Sequence, residues 1–315
     1  MNPSARPRHR WILALLAAAW LNAPPTQAAQ ALMTWADLTR TPPPKATRRI
    51  AYGPATNQVI DLWLPEGPGP FPVVLMLHGG CWRASIANLG IMNYIAGDLR
   101  RRGVAVWNIE YRGVDQPGGG YPGTFQDVAA AADALRQAAP ALHLELDHVV
   151  AVGHSAGGHL ALWLAARHRL PASSPLHADD PLPIAAVVSL GGLADLAAVR
   201  ELKDDAGCGA AVVDAMSGRA AGRSGDVYAD TSPAALLPLG VPQLLVQGDL
   251  DPVSPPYVGW EYQAKAGKRG ERVRVIVIPA TGHAELIAPR SAAWAREALA
   301  IGAYARGAGP GPVKP

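Results

Sequence analysis

The chain has 315 residues, 49% hydrophobic and 17% charged, enough for one large core or two small ones and incompatible with intrinsic disorder. Lys and Arg number 28 against 25 Asp and Glu, and the three excess cations, Arg6, Arg8 and Arg10, stand within the first 31 residues, which contain no acid. The remainder is charge-balanced and has no continuous basic patch, so nucleic acid is not an expected partner.

The basic stretch 6–10 is followed by an apolar run, 11–21, and by small residues ending in Ala29-Gln30-Ala31, the three parts of a secretory signal. The alternative is a membrane anchor, but the apolar run falls well short of the ~20 residues a spanning helix needs. Gly, Pro or charge interrupts every later apolar stretch. Residues 1–31 are therefore expected to be a signal peptide, leaving a periplasmic or secreted protein without stable membrane insertion. Two cysteines, Cys81 and Cys208, are too few for a metal finger or a disulfide framework. In an oxidising compartment they either pair or remain separate buried thiols, and spacing does not decide between the two.

A Pro-rich lead, 41–45, precedes an alternating stretch, 58–64, that has the pattern of an antiparallel strand. Short, nearly continuous apolar runs follow at 73–77, 104–109, 149–152, 184–190, 241–246 and 273–278. They alternate with helical patterns at 91–102, 125–139, 156–169, 257–268 and 291–305. Strands buried on both faces and joined by crossover helices make a doubly wound, mostly parallel α/β sheet, in one domain spanning 32–306. The Ala/Gly/Asp-rich stretch 194–237 is too long for a simple connection and is expected to form a small cap over the carboxyl edge of the sheet. The Gly/Pro-rich end, 307–315, is expected to be a disordered tail.

Gly153-His154-Ser155-Ala156-Gly157 lies between an apolar strand and an Ala/Leu-rich helix, the setting of a G-x-S-x-G nucleophile elbow. A serine hydroxyl needs an imidazole to take its proton and a carboxylate to orient that imidazole. Of the nine histidines, His283 alone follows the last strand directly and is the expected base. His154 and His159 flank the serine too closely in sequence to face its hydroxyl and are expected to pack beside it. Asp251 lies far enough along the loop after 241–246 to reach His283, whereas Asp249, nearer the strand end, is better placed to stabilise the turn. Asp195 is a third candidate acid.

Acyl transfer also needs donors for the oxyanion. His78-Gly79-Gly80-Cys81-Trp82 follows the first parallel strand and is similar to an HGGG-type loop, which assigns the donors to the N–H of Ala156 and of Gly80 or Cys81, with His78 and Gly79 supporting the loop. Trp82 either walls the acyl pocket or belongs to the core. Gly118, Gly120 and Gly123 formally satisfy G-x-G-x-x-G but stand well beyond the strand 104–109, so a flexible surface loop is expected there rather than a nucleotide site. No metal-binding or P-loop pattern is present, and no metal or cofactor is expected.

Taken together, His78 to Trp82, Gly153 to Leu160, Asp251 and Gly282-His283 give the sequence a resemblance to the α/β-hydrolase superfamily, over about residues 50–305. Within it the chain resembles the branch of hormone-sensitive-lipase-type esterases and kynurenine formamidases. Formamidases of that branch carry an aromatic residue where this chain has Cys81, and the triple-glycine esterases carry glycine. The resemblance implies an α/β-hydrolase fold with a small cap insertion, and a cofactor-free serine esterase whose partner is a small-molecule ester. Arylformamidase activity, amidase or exopeptidase activity, and a non-catalytic binding module on the same scaffold, are the alternatives.

Overall fold

The strands follow from uninterrupted β-branched and aliphatic runs, and every parallel strand needs a helix to bring the chain back to the same end of the sheet. A computed structural model describes residues 31–202 and 207–309. All but the last residue of the expected signal peptide, and residues 310–315 of the expected tail, lie outside the described residues. The unit Leu32–Pro315 is described below.

The strands are β1 (Arg48–Ala51), β2 (Val59–Trp63), β3 (Phe71–Leu77), β4 (Ala105–Ile109), β5 (Leu144–His154), β6 (Ala186–Leu190), β7 (Gln243–Gly248) and β8 (Val273–Ile278). The helices are α1 (Trp35–Leu38), α2 (Asn93–Arg101), α3 (Gly123–Leu142), α4 (Ala156–Ala166), α5 (Leu196–Arg200), α6 (Ala210–Ser217), α7 (Pro233–Leu236), α8 (Pro256–Lys268) and α9 (Ala292–Ala305). One sheet has the order β1-β2-β4-β3-β5-β6-β7-β8. Strands β3 to β8 are mutually parallel, and β1 and β2 add an antiparallel edge. The doubly wound, mostly parallel α/β sheet expected from the sequence is present.

Strand alternation divides the core into two layers. Val73, Leu75 and Leu77 of β3 face one layer with Phe125, Leu135 and Trp163. Val74 and Met76 face the other with Ile95, Leu99, Trp294 and Ile301. Helix α4 is buried along its whole length, as a helix apolar on every side must be.

Strand β1 was not foreseen. Its sequence, Arg-Arg-Ile-Ala, carries two charges, which an edge strand tolerates because one face meets solvent. Arg49 grips Asp61 of β2 through two hydrogen bonds of 2.7 and 2.9 Å, across the register pair that joins the two strands. The chain reverses its winding direction about β3, which has β4 on one side and β5 on the other. In such sheets the carboxyl ends at the reversal leave a crevice, the usual place for a ligand.

Candidate active site

Ser155 sits between the end of β5 and the start of α4 with φ 54° and ψ −122°, a conformation that costs a non-glycine residue ~1–3 kcal/mol. The turn closes because its flanks are glycine: a Cβ on Gly157 would lie 2.2 Å from the Leu77 carbonyl oxygen, and one on Gly153 would lie 2.0 Å from that of Gly157. The Ser155 N–H donates to the Leu190 carbonyl at 2.8 Å, and the Ser155 carbonyl accepts from Gly158 N–H at 2.8 Å. Ser155 is only 2% exposed. The Ala156 N–H belongs to the first turn of α4, whose N–H groups have no partner within the helix.

His283 and Asp251, distant in sequence, meet at the same edge. His283 Nδ1 lies 2.6 Å from Asp251 Oδ2. An ionised carboxylate only accepts, so Nδ1 carries the hydrogen and Nε2 keeps its lone pair. Asp251 Oδ1 accepts from the N–H groups of Val253 at 2.8 Å and Ser254 at 3.0 Å, which fixes the carboxylate plane. Gly191, the residue after Leu190, lies beneath this pair: its own Cβ would stand 3.0 Å from both Asp251 Oδ2 and His283 Nδ1. The Leu190–Gly191 turn thus touches the serine backbone on one side and the acid–imidazole pair on the other.

The other two carboxylates are occupied elsewhere. Asp249 accepts from the Thr281 N–H at 3.0 Å and ties two loops together. Asp195 caps α5 through the N–H groups of Ala197 and Ala198 and forms an ion pair with Lys265.

His154 is fully buried, and its ring centroid lies 4.4 Å from that of His283. Burial, with His283 beside it, holds its imidazole well below the ordinary histidine range, so it is neutral near pH 7. Its Nε2–H donates to the His283 carbonyl at 3.1 Å, bracing the loop that carries His283. Trp35 of α1, which no sequence motif singles out, meets both imidazoles edge to face, at 6.0 Å from His283 and 5.8 Å from His154, and is 44% exposed. Glu285 holds this N-terminal segment against the loop by accepting from the N–H groups of Met33 and Gly282.

On the other side of Ser155, the loop after β3 brings Gly79 so close that a Cβ there would lie 3.0 Å from Ser155 Cβ. His78 is fixed on three sides: Nε2 lies 2.8 Å from Glu110 Oε1, Nδ1 lies 2.7 Å from the Gly79 carbonyl, and the ring stacks on Tyr111 at 4.2 Å. Burial pushes the Glu110 carboxyl up, but His78 and the N–H groups of Leu89 and Tyr111 outweigh it and hold the acid below its ordinary range. Gly80, Cys81 and Trp82 follow with φ of 102°, 52° and 52°, three successive left-handed residues. Cys81 forms a disulfide with Cys208, resolving the choice that spacing left open. Trp82 is 0% exposed and lies in the core against His159, so of the two readings left open for it the pocket wall is corrected and the core residue stands.

The stretch 194–237 carries α5, α6 and α7 and is strapped to the helix that follows Ser155. His159 Nε2–H donates to the Thr231 carbonyl at 2.8 Å, and Trp163 Nε1–H to that of Asp230 at 2.9 Å. The glycine loop 118–123, expected to be a flexible surface loop, is instead pinned: Tyr121 N–H donates to the Ala215 carbonyl at 3.0 Å and Gly120 N–H to Thr124 Oγ1 at 2.9 Å. Among the described residues no cluster of three or more His, Cys, Asp or Glu could hold a metal ion, and no helix is long and apolar enough to cross a membrane.

The BD-FAE family model matches residues 60–264. A search of curated proteins returned no match. Among solved structures, a truncated carbohydrate esterase from gut microbiota is similar with a TM-score of 0.68 at 18% identity, over 83% of this chain and 98% of the other. Esterase B from Lactobacillus rhamnosis aligns with a TM-score of 0.68 at 20% identity, over 82% and 85%. A bacterial heroin esterase aligns with a TM-score of 0.61 at 25% identity, over 79% of each chain.

Proposed function

This chain belongs to the BD-FAE family, and from that premise we propose that it is an exported serine hydrolase that cleaves small or medium carboxylic esters through an acyl-enzyme. The observation that carries the proposal is the 2.6 Å contact between His283 Nδ1 and Asp251 Oδ2, at the sheet edge where Ser155 occupies its left-handed turn. The similar structures named as esterases support the same chemistry.

In the proposed reaction the Ser155 hydroxyl attacks the ester carbonyl while His283 Nε2 takes its proton. Asp251 stabilises the imidazolium that forms and keeps Nδ1 as the donor. Charge on the carbonyl oxygen is met by the N–H of Ala156 and of Gly80 or Cys81, and each such donor is worth ~2.7–4 kcal/mol in the transition state. Collapse of the tetrahedral intermediate expels the alcohol, which receives the proton from His283. Water then attacks the acyl-Ser155 ester by the same route, releasing the acid and restoring the hydroxyl.

Export is supported by the acid-free N-terminus with its basic, apolar and small-residue parts, and by the Cys81–Cys208 disulfide, a bond characteristic of oxidising compartments. Turnover of p-nitrophenyl acetate and butyrate, measured beside Ser155→Ala, tests the chemistry: the parent hydrolyses both and labels with a fluorophosphonate, and the variant does neither. Equal rates in the two proteins overturn the proposal. N-terminal sequencing of exported protein tests the leader, with Leu32 as the expected first residue.

A further inference from the structure

The loop opposite Ser155 is joined covalently to the insertion, and we infer that Cys208 is a positioning residue for catalysis, its disulfide to Cys81 holding the Gly80 and Cys81 N–H groups toward the oxyanion. The inference rests on the serine-hydrolase reading above.

Gly80, Cys81 and Trp82 are all left-handed, a conformation only glycine takes freely. Residues remain in it where their surroundings over-determine the backbone. On the upstream side, His78 is held by Glu110 and Tyr111. On the downstream side, the Trp82 carbonyl accepts from Val114 N–H at 2.7 Å and the indole is buried. Cys81 lies between these anchors, and its side chain is tied down by the disulfide.

The other end of that bond is also fixed. Gly207, beside Cys208, donates its N–H to the Val253 carbonyl at 2.7 Å, and the Val253 N–H is held by Asp251 Oδ1 at 2.8 Å. Cys81, Cys208, Gly207, Val253 and Asp251 therefore form a continuous strap from the donor loop to the acid of the acid–imidazole pair. It sets the two halves of the site at a fixed separation, so that one geometry serves both proton transfer and oxyanion binding. Loss of the strap is felt in the transition state more than in ground-state binding, because the oxyanion exists only after attack.

The test compares the full mature chain with Cys208→Ser and Cys208→Ala, each normalised to sites titrated with a fluorophosphonate. The expected result is a fall in kcat of about tenfold or more with KM within about threefold, a fraction of what deleting one donor outright causes. Affinity for a trifluoromethyl ketone, which mimics the oxyanion, falls by the same factor as kcat/KM. A purely structural bond would lower the melting temperature and leave kcat per titrated site unchanged, and that outcome overturns the inference. Should the variants not fold, the parent reduced with a phosphine well below its melting temperature gives the same comparison. Unchanged kcat per site after both thiols are freed overturns the inference equally. A parent that neither turns over esters nor labels at Ser155 overturns the hydrolase reading, and the inference falls with it.

Discussion

Asp251 divides its carboxylate between two tasks, Oδ2 receiving Nδ1–H of His283 at 2.6 Å and Oδ1 receiving the N–H groups of Val253 and Ser254. Asp251→Asn keeps an oxygen for the two backbone donors but turns an amide N–H toward His283 Nδ1, which forces the imidazole into the opposite tautomer. The expected outcome is a folded protein whose kcat falls by roughly 10⁴, with KM little changed. Asp249→Asn retains most of its activity. Asp195→Asn loses at most about 1 kcal/mol of stability at the α5 cap and no chemistry. Steady-state kinetics on the three variants separate the candidate acids.

Gly191 has φ 55° and no room for a side chain under the Asp251–His283 pair, whereas Gly103 has φ 76° and open space around it. Gly103→Ala should therefore lose only the backbone component, about 1–2 kcal/mol, and keep full activity. Gly191→Ala should lose that and kcat as well, because the new methyl group presses on both members of the pair. Urea denaturation read beside ester turnover distinguishes the two.

Burial pushes the His159 imidazole down to about 4, while its Nε2–H stays bonded to Thr231. The unfolded chain takes up this proton near pH 6.5, earlier than the folded chain does. The stability linked to neutral His159 is therefore complete above pH 6.5 and is lost as pH falls from there toward 4, a change on the order of 3 kcal/mol. His159→Gln retains a donor at the same place and does not titrate. Its stability curve, measured by denaturant midpoints between pH 4 and 7, should be flatter than the parent's.

Glu297 of α9 is fully buried, with neither carboxylate oxygen bonded, beside a small cavity lined by Leu244, Val246, Ile276, Ile278, Arg296 and Ala300. Burial raises its carboxyl well above the ordinary range, so the folded chain holds a proton that the unfolded chain releases. The sign is opposite to that at His159: stability is full below the unfolded value near 4.5 and declines as pH rises. Glu297→Gln removes the ionisation and keeps the volume. It should be more stable than the parent at pH 8 and show no advantage at pH 4. Thermal melts across that range decide the matter.

Strands β3, β4, β6 and β7 and the second half of β5 were legible because strands covered on both faces need continuous apolar runs, whereas the edge strand β8, only partly covered, was legible from its run of Val and Ile. The Ser155 turn was legible because close backbone approach allows only glycine at 153 and 157. Strand β1 was not, since two arginines on an edge strand carry no such pattern. Nor was the Cys81–Cys208 pairing, which depends on how the insertion folds back across 127 positions. Trp35 was missed because a tryptophan ahead of the first strand gives no sign that tertiary packing will bring it to the imidazoles. Trp82 could be placed near the donor loop from sequence, but whether its indole turned inward depended on the left-handed turn that carries it.

The parallel ladder places Ser155, Asp251 and His283 beyond the carboxyl ends of β5, β7 and β8. The opposite rim is made of plain connections, among them the left-handed turns at Gly103, Gly240 and Gly270, which lead into β4, β7 and β8 and have free space around them. That rim is the natural handle of the molecule. A resin, an electrode or a fused carrier attached there, for instance through Lys268 at the end of α8, would leave the edge that carries Ser155 and His283 turned toward the bulk liquid.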